Sequence, residues 1–138
     1  MGLRTLQPRA WAPPRGYANG IAGRGTIVIV GGQVGWDERQ QFESDDFVAQ
    51  ARRALQNVVA VLAEASALPE HVARMTWYVV DKHEYLASLR ALGQAYREIM
   101  GTHYPAMTAV QVVALIEDRA RVEIEVTAIV PDPENSQQ

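Results

Sequence analysis

From Val122 to Ala128 the chain alternates strictly. Val122, Ile124, Val126 and Ala128 fall on one side of an extended strand, and Glu123, Glu125 and Thr127 on the other. The run before it, residues 106–115, behaves differently: Ala106, Thr108, Val110 and Val112 interleave with Met107, Ala109, Gln111, Val113 and Leu115, so both of its faces are apolar. This pair limits the fold, because a sheet containing such a strand has to be covered on both sides. The chain offers two helical stretches, enough for one face. A second subunit is the economical cover for the other.

The helices are read from the apolar period. Phe47, Ala51, Leu55, Val58, Leu62 and Ala65 fall on one stripe at helical spacing. Ser44 is read as the N-cap, with Asp45 and Asp46 complementing the positive helix end and Pro69 lying beyond the stop. A second helix is expected over residues 84–100, with Tyr85, Leu89, Leu92, Tyr96 and Ile99 on its stripe and Gly101 ending it.

Strands are expected at 26–30, 74–80, 106–115 and 121–130, the last two joined by the polar turn 117–119. Gly31 and Gly32 would let the backbone turn after the first strand and leave its N–H groups open to a ligand; a simple turn is the alternative. The segment from Trp11 to Tyr17 is too rich in Pro and Gly for a regular element. The expectation is one α+β domain over residues 1–138, a mixed sheet with two helices on one face, preceded by an arm (1–16) and followed by a disordered tail (131–138).

A length of 138 residues suffices to bury a core without metals or disulfides. There is no cysteine, which removes thiolate nucleophiles, iron–sulfur clusters and zinc–thiolate sites. With 16 acidic against 13 basic residues the chain is mildly negative, so no nucleic-acid partner is expected. The N-terminal residues lack a signal peptide's apolar core and no run approaches the roughly 20 apolar residues of a membrane span, so a soluble, cytoplasmic protein without a membrane partner is expected. His71, His83 and His103 lack metal-ligand spacing and are read as surface or capping residues. Trp77 and Tyr78 are neighbours on a strand and must face opposite ways.

Several ordered motifs, spread from about Tyr17 to Val130, make the chain similar to the RidA/YjgF family of enamine/imine deaminases, also called L-PSP endoribonucleases. They are Arg15-Gly-Tyr-Ala-Asn-Gly20, Ile29-Val-Gly-Gly-Gln-Val34, Ala49-Gln-Ala51 with Leu55-Gln-Asn-Val58, Met75-Thr-Trp-Tyr-Val-Val-Asp81, and finally His103-Tyr-Pro-Ala-Met-Thr-Ala-Val110 with Val122-Glu-Ile-Glu-Val126. The resemblance implies a chorismate-mutase-like α+β subunit, a homotrimer with small-molecule sites in the clefts between subunits, and no cofactor or metal.

Carried over residue by residue, Glu123 matches the family glutamate that positions a water. A carboxylate in a cleft can hold or activate the water that imine hydrolysis needs. The alternative for Glu123 is a glutamate that is simply exposed or that pairs with a neighbouring arginine at the interface. Tyr17 matches the tyrosine lining the cleft, with packing at the interface as its alternative, and Gly31 and Gly32 match backbone that approaches the substrate. Ala109 stands where many relatives have cysteine, and the stretch before Tyr96 lacks a frequent asparagine.

Met107 stands where the family has the arginine that clamps a substrate carboxylate, a two-pronged geometry that needs guanidinium. Its loss should weaken binding of small acidic imines by about 2 to 5 kcal/mol and leave an apolar, adaptable floor that favours a neutral or aromatic ligand. Arg15, two residues before Tyr17, is the candidate to replace it.

Three functional readings follow. The first is a RidA-like trimer that binds a small metabolite and hydrolyses an imine or enamine to a carbonyl compound and ammonia. The second is a non-catalytic metabolite-binding or regulatory trimer. Endoribonuclease activity comes third, since the chain has no basic stripe.

Overall fold

The computed structural model describes residues 2–133. Residues 134–138, most of the expected tail, lie outside them, and residues 131–133 continue the last strand without regular structure.

The described residues form six strands, three α-helices and a short 3-10 turn (Pro69–His71): β1 (Arg4–Leu6), β2 (Gly20–Ala22), β3 (Thr26–Val34), α1 (Phe47–Glu64), β4 (Val72–Val79), α2 (Lys82–Ala87), α3 (Leu89–Met100), β5 (Ala106–Gln111) and β6 (Val122–Val130). The main sheet has the order β3-β6-β4-β5, with β4 and β5 parallel and the other pairs antiparallel. It is the expected mixed sheet of an α+β domain. The arm contributes more than expected: β1 pairs with β2 in a separate two-stranded sheet.

β6 behaves as its alternation requires. Val122, Ile124, Val126 and Ala128 are buried under the helices, while Glu123, Glu125 and Thr127 are half-buried on the opposite face. On α1, Ala51, Leu55, Val58 and Leu62 are fully buried against β3 and β6; burying each large aliphatic side chain contributes about 1.5 to 3 kcal/mol. Ala65, the last residue of the predicted stripe, is the exposed C-cap.

The start of α1 differs from expectation. Asp46 is the N-cap, its carboxylate accepting from the Ala49 amide at 2.9 Å, and the Ser44 hydroxyl accepts instead from the Asp46 amide at 3.0 Å. Both residue types cap well, and the extended backbone of Asp46, with φ −74° and ψ 131°, decides between them. Buried Gln50 ties this corner down. Its Nε2 donates to the carbonyls of Ser44 and Arg119, and its Oε1 accepts from the Arg121 amide at 2.8 Å.

The single second helix splits in two. Asp81 caps α2 by accepting from the His83 and Glu84 amides, and Ser88, with φ −108° and ψ 7°, breaks the helical path before α3. Gly101 closes α3 with φ +80°, a conformation that favours glycine. Strand β5 is shorter than predicted. It ends at Gln111, one further amide of Val112 reaches the Val79 carbonyl at 2.8 Å, and residues 113–116 leave the sheet.

Gly31 and Gly32 do not turn the chain: they lie inside β3, where its register with β6 shifts between Val30 and Gln33. An irregularity of this kind bends the strand without ending it.

Candidate functional site

Sheet register sorts the candidate residues onto faces. Met75, Trp77 and Val79 of β4 pair with Met107, Ala109 and Gln111 of β5 and with Val126, Ile124 and Val122 of β6, and paired residues share a face. The β6 members are buried under the helices, so Met107 and Ala109 are on the helix side. Tyr78 pairs with Glu123 and Val110 on the opposite side, together with Thr76 and Glu125. Within one chain, Glu123 and Met107 therefore lie on opposite faces, and on strands two spacings, roughly 10 Å, apart. The resemblance would put both in one cleft; a single subunit keeps them apart.

On the open face Glu123 lies against Gly32. A Cβ at residue 32 would sit 1.9 Å from Glu123 Oε2 and 2.7 Å from its carboxyl carbon, whereas one at Gly31 would meet nothing within 4 Å. The second glycine of the pair thus clears space for the carboxylate. Beside it, the Tyr78 hydroxyl donates to Glu125 Oε1 at 2.5 Å, and this bond holds the phenol above its ordinary titration range. Ile27 and Ile29 are exposed at 64% and 76% on the same face, where Ile29 pairs with Thr127. Among the described residues no helix covers them.

On the other face, a cavity of about 360 Å³ opens between α3 and the β4–β5 edge, within the range of small-molecule pockets. Its floor holds Met107 and Trp77, and its aromatic wall Tyr85, Tyr96 and Tyr104. Tyr96 and Tyr104 stack with ring centroids 5.2 Å apart, and the Tyr96 hydroxyl donates to the His103 carbonyl at 2.7 Å. Burial raises the Tyr96 phenol far above its ordinary range and Tyr85 in the same direction, so both remain neutral donors. Trp77 meets Tyr85 edge-on at 6.3 Å, and its buried indole Nε1 has no acceptor among the described residues, an unusual state for a buried donor.

Two guanidinium groups, of Arg15 and Arg97, also line this cavity, and no acidic side chain does. Arg15 and Met107 thus line the same cavity. Tyr17 is 42% exposed and does not line the cavity, although its neighbour Gly16 does. The next residue anchors the segment: the Ala18 amide donates to the Pro105 carbonyl at 2.9 Å, and Ala18 bridges Ala106. Ala109 is exposed on β5.

Sequence reasoning missed Arg97. The available signal was helical spacing: Arg97 follows Gly93 by four residues and so stands over it on one face of α3. A Cβ at residue 93 would lie 3.3 Å from Arg97 Nη1.

The histidines show no site. His71 Nδ1 accepts from the Leu68 amide, a capping role, and His103 Nε2 bonds the Val72 carbonyl at 2.7 Å. Among the described residues no cluster of three His, Asp or Glu could hold a metal ion, and no helix is long and apolar enough to cross a membrane.

A four-stranded mixed sheet with its helices on one side, an open carboxylate-bearing face and a cavity at the strand edge define the class as an α+β protein of the chorismate-mutase-like type with small-molecule-sized clefts. The chain belongs to the RidA/YjgF family: the family pattern named endoribonuclease L-PSP matches residues 8–130. The chain is 30% identical over 113 residues to a 2-iminobutanoate/2-iminopropanoate deaminase of Salmonella typhimurium, covering 82% of this chain and 86% of that protein. It is 32% identical over 106 residues to a RutC family protein of Pyrococcus abyssi, covering 76% and 78%. Its fold is similar to that of YyfB, a Rid family protein of unknown function from Yersinia pestis, with TM-score 0.82, 30% identity and coverage of 94% and 100%. TdcF of Escherichia coli, solved with bound serine, gives TM-score 0.68 at 26% identity, covering 92% and 98%.

Proposed function

We propose that this protein is a hydrolase that converts an imine or enamine to a carbonyl compound and ammonia, in clefts between three copies of the chain. Glu123 holds and activates the water. The observation that carries this reading is the carboxylate of Glu123 on the open sheet face, with Gly32 left bare to admit it. Family membership and the deaminase name of the Salmonella relative supply the reaction class.

Assembly supports the same reading in physical terms. Exposed Ile27, Ile29 and Val110 favour a cover, and in this reading a second copy supplies it and brings its Met107-side edge toward the Glu123-side face, which one chain keeps apart. Tyr17, beside the bridge to β5, lines that shared cleft in this reading, near Gly31 and Ala109. No cofactor takes part, and the compartment is the cytoplasm.

The test is ammonia release from freshly generated 2-iminobutyrate and from bulkier imines, with Glu123→Gln alongside. Turnover reduced about 100-fold or more in the variant is expected for loss of a general base; turnover that survives Glu123→Gln unchanged overturns the assignment. Ile29→Asp with sedimentation analysis tests the trimer, which should dissociate.

A second reading, a non-catalytic metabolite-binding trimer, is favoured by one observation, the lack of a guanidinium at Met107. It predicts ligand-induced thermal stabilisation that is identical in Glu123→Gln and no ammonia release from any imine.

A further inference from the structure

We propose that the cavity between α3 and β5 binds the carboxylate of a bulky, planar acid through Arg97, assisted by Arg15, so that the clamp missing at residue 107 is rebuilt from the opposite wall. The proposal deepens the functional reading above and rests on it for the location of the substrate.

Three independent features converge on it. The first is charge: two guanidinium groups and no carboxylate face the cavity, and neither arginine has an ion-pair partner among the described residues. Arg4, Arg9, Arg24, Arg39, Arg74 and Arg90 likewise have no ion-pair partner among the described residues, so what sets Arg15 and Arg97 apart is that both line one cavity that no carboxylate lines. Cations gathered on an otherwise apolar concavity without counter-charge suit an anionic ligand.

The second is Gly93. A glycine inside a helix costs about 1 kcal/mol relative to alanine. Here a reason is visible: a Cβ would press on Arg97 Nη1 at 3.3 Å. The bare helix surface lets the guanidinium lie close over α3 at the cavity wall, and a larger side chain there would shift it by a few tenths of an ångström.

The third is shape. Met107 is shorter than arginine and uncharged, so the floor recedes and its thioether joins the stacked Tyr96–Tyr104 pair and Trp77 around the open volume. Aromatic faces and a polarizable sulfur favour a flat apolar body. A two-carbon side chain would leave most of this surface wet, whereas a phenyl or indole ring would cover it. The ligand class is thus a 2-imino or 2-oxo acid with an aromatic side chain, its charged end on the α3 side.

The experiment is direct binding by calorimetry, using phenylpyruvate as a stable carbonyl probe, 2-oxobutyrate as the small acid and phenylacetone as a neutral ring of similar shape. Variants Arg97→Met, Arg15→Met and the double variant are exposed substitutions, with melting temperature as the folding control. Phenylpyruvate should bind at least about tenfold tighter than either other probe, and Arg97→Met should remove at least about tenfold, the scale of one charged hydrogen bond. Arg15→Met should have a smaller effect in the same direction. Equal binding of phenylpyruvate and phenylacetone, or unchanged binding in the double variant, overturns the proposal.

The probe is not turned over. A protein that fails to release ammonia yet shows the arginine-dependent binding refutes only the deaminase reading. One that deaminates imino acids at a rate indifferent to both arginines refutes only the carboxylate site.

Discussion

Gly32→Ala is the substitution that most directly isolates the role of Glu123. The new methyl would stand 1.9 Å from Oε2, 2.7 Å from Cδ and 3.0 Å from Cγ of Glu123, so the carboxylate has to swing to another rotamer. Gly32 has no left-handed backbone torsion, in contrast to Gly16, Gly25 and Gly101, and alanine fits its conformation. Stability should change little: leaving a preferred rotamer costs about 0.5 to 1.5 kcal/mol, and replacing a strand glycine by alanine returns about 0.5 to 1 kcal/mol. The net is within about 1 kcal/mol, a shift of about 4 °C or less in Tm for a chain of this size. Catalysis should fall far more, by about 100-fold, the usual result of misplacing a proton-transferring group by an ångström or so.

The assay is kcat/KM for ammonia release, measured for Gly32→Ala, Gly31→Ala, Glu123→Gln and the Gly32→Ala/Glu123→Gln pair. Gly31→Ala should leave the Glu123 carboxylate in place, since a Cβ there meets nothing within the chain, so any rate it loses reports on the cleft rather than on Glu123. If Glu123 is the group through which the methyl acts, the pair should be no slower than Glu123→Gln alone. A fully active Gly32→Ala, or rate losses that multiply in the pair, would refute the reasoning.

Gln50→Leu should destabilise the chain by about 3 kcal/mol, because it leaves two carbonyls and an amide at a buried corner without partners; denaturant unfolding measures it, and a loss below about 1 kcal/mol would contradict it. Asp46→Ala should cost about 1 kcal/mol as the loss of the α1 N-cap, and Ser44→Ala clearly less, read as the difference between two urea midpoints. Asp37 accepts from the Gln41 and Arg39 amides, which lower its carboxyl pKa below 3.8. A lowered folded pKa gives stability that is fully present above about 3.8 and lost as pH falls through the folded value. In Asp37→Asn the stability difference from the parent should therefore shrink on acidification below pH 3.8; a difference constant down to pH 2 would refute it.

The fold was legible where one face of an element is buried and the other wet. The alternation of β6 and the stripe of α1 are such cases, and both appear with their faces as read. Legibility fell where local choices compete: Ser44 and Asp46 are equally good capping types, and only the chain's path selects one. The break at Ser88 carries no glycine or proline to announce it.

In the candidate site, Arg15 beside Met107 could be read from a motif, but the opposition of Met107 and Glu123 could not. It depends on register across three strands, which no local pattern encodes. Gly31 and Gly32 look equivalent in sequence, and a single carboxylate packed from β6 separates them.

The strand order β3-β6-β4-β5 also bears on how the molecule is made. β6, which follows the other described strands in the sequence, is an inner one. Until β6 arrives, β3 and β4 have no hydrogen-bonded neighbour between them, and the apolar side of α1 has only part of its floor. The helices can form early from local contacts, but closing the sheet between β3 and β4 has to wait for a pairing that joins Thr26 to Val130. Contacts of such sequence separation slow folding, so a nascent chain exposes Leu55, Leu62 and Met75 to its surroundings until β6 is available to pair. A shortening that removes β6 should abolish the fold, whereas trimming the β1 arm should not.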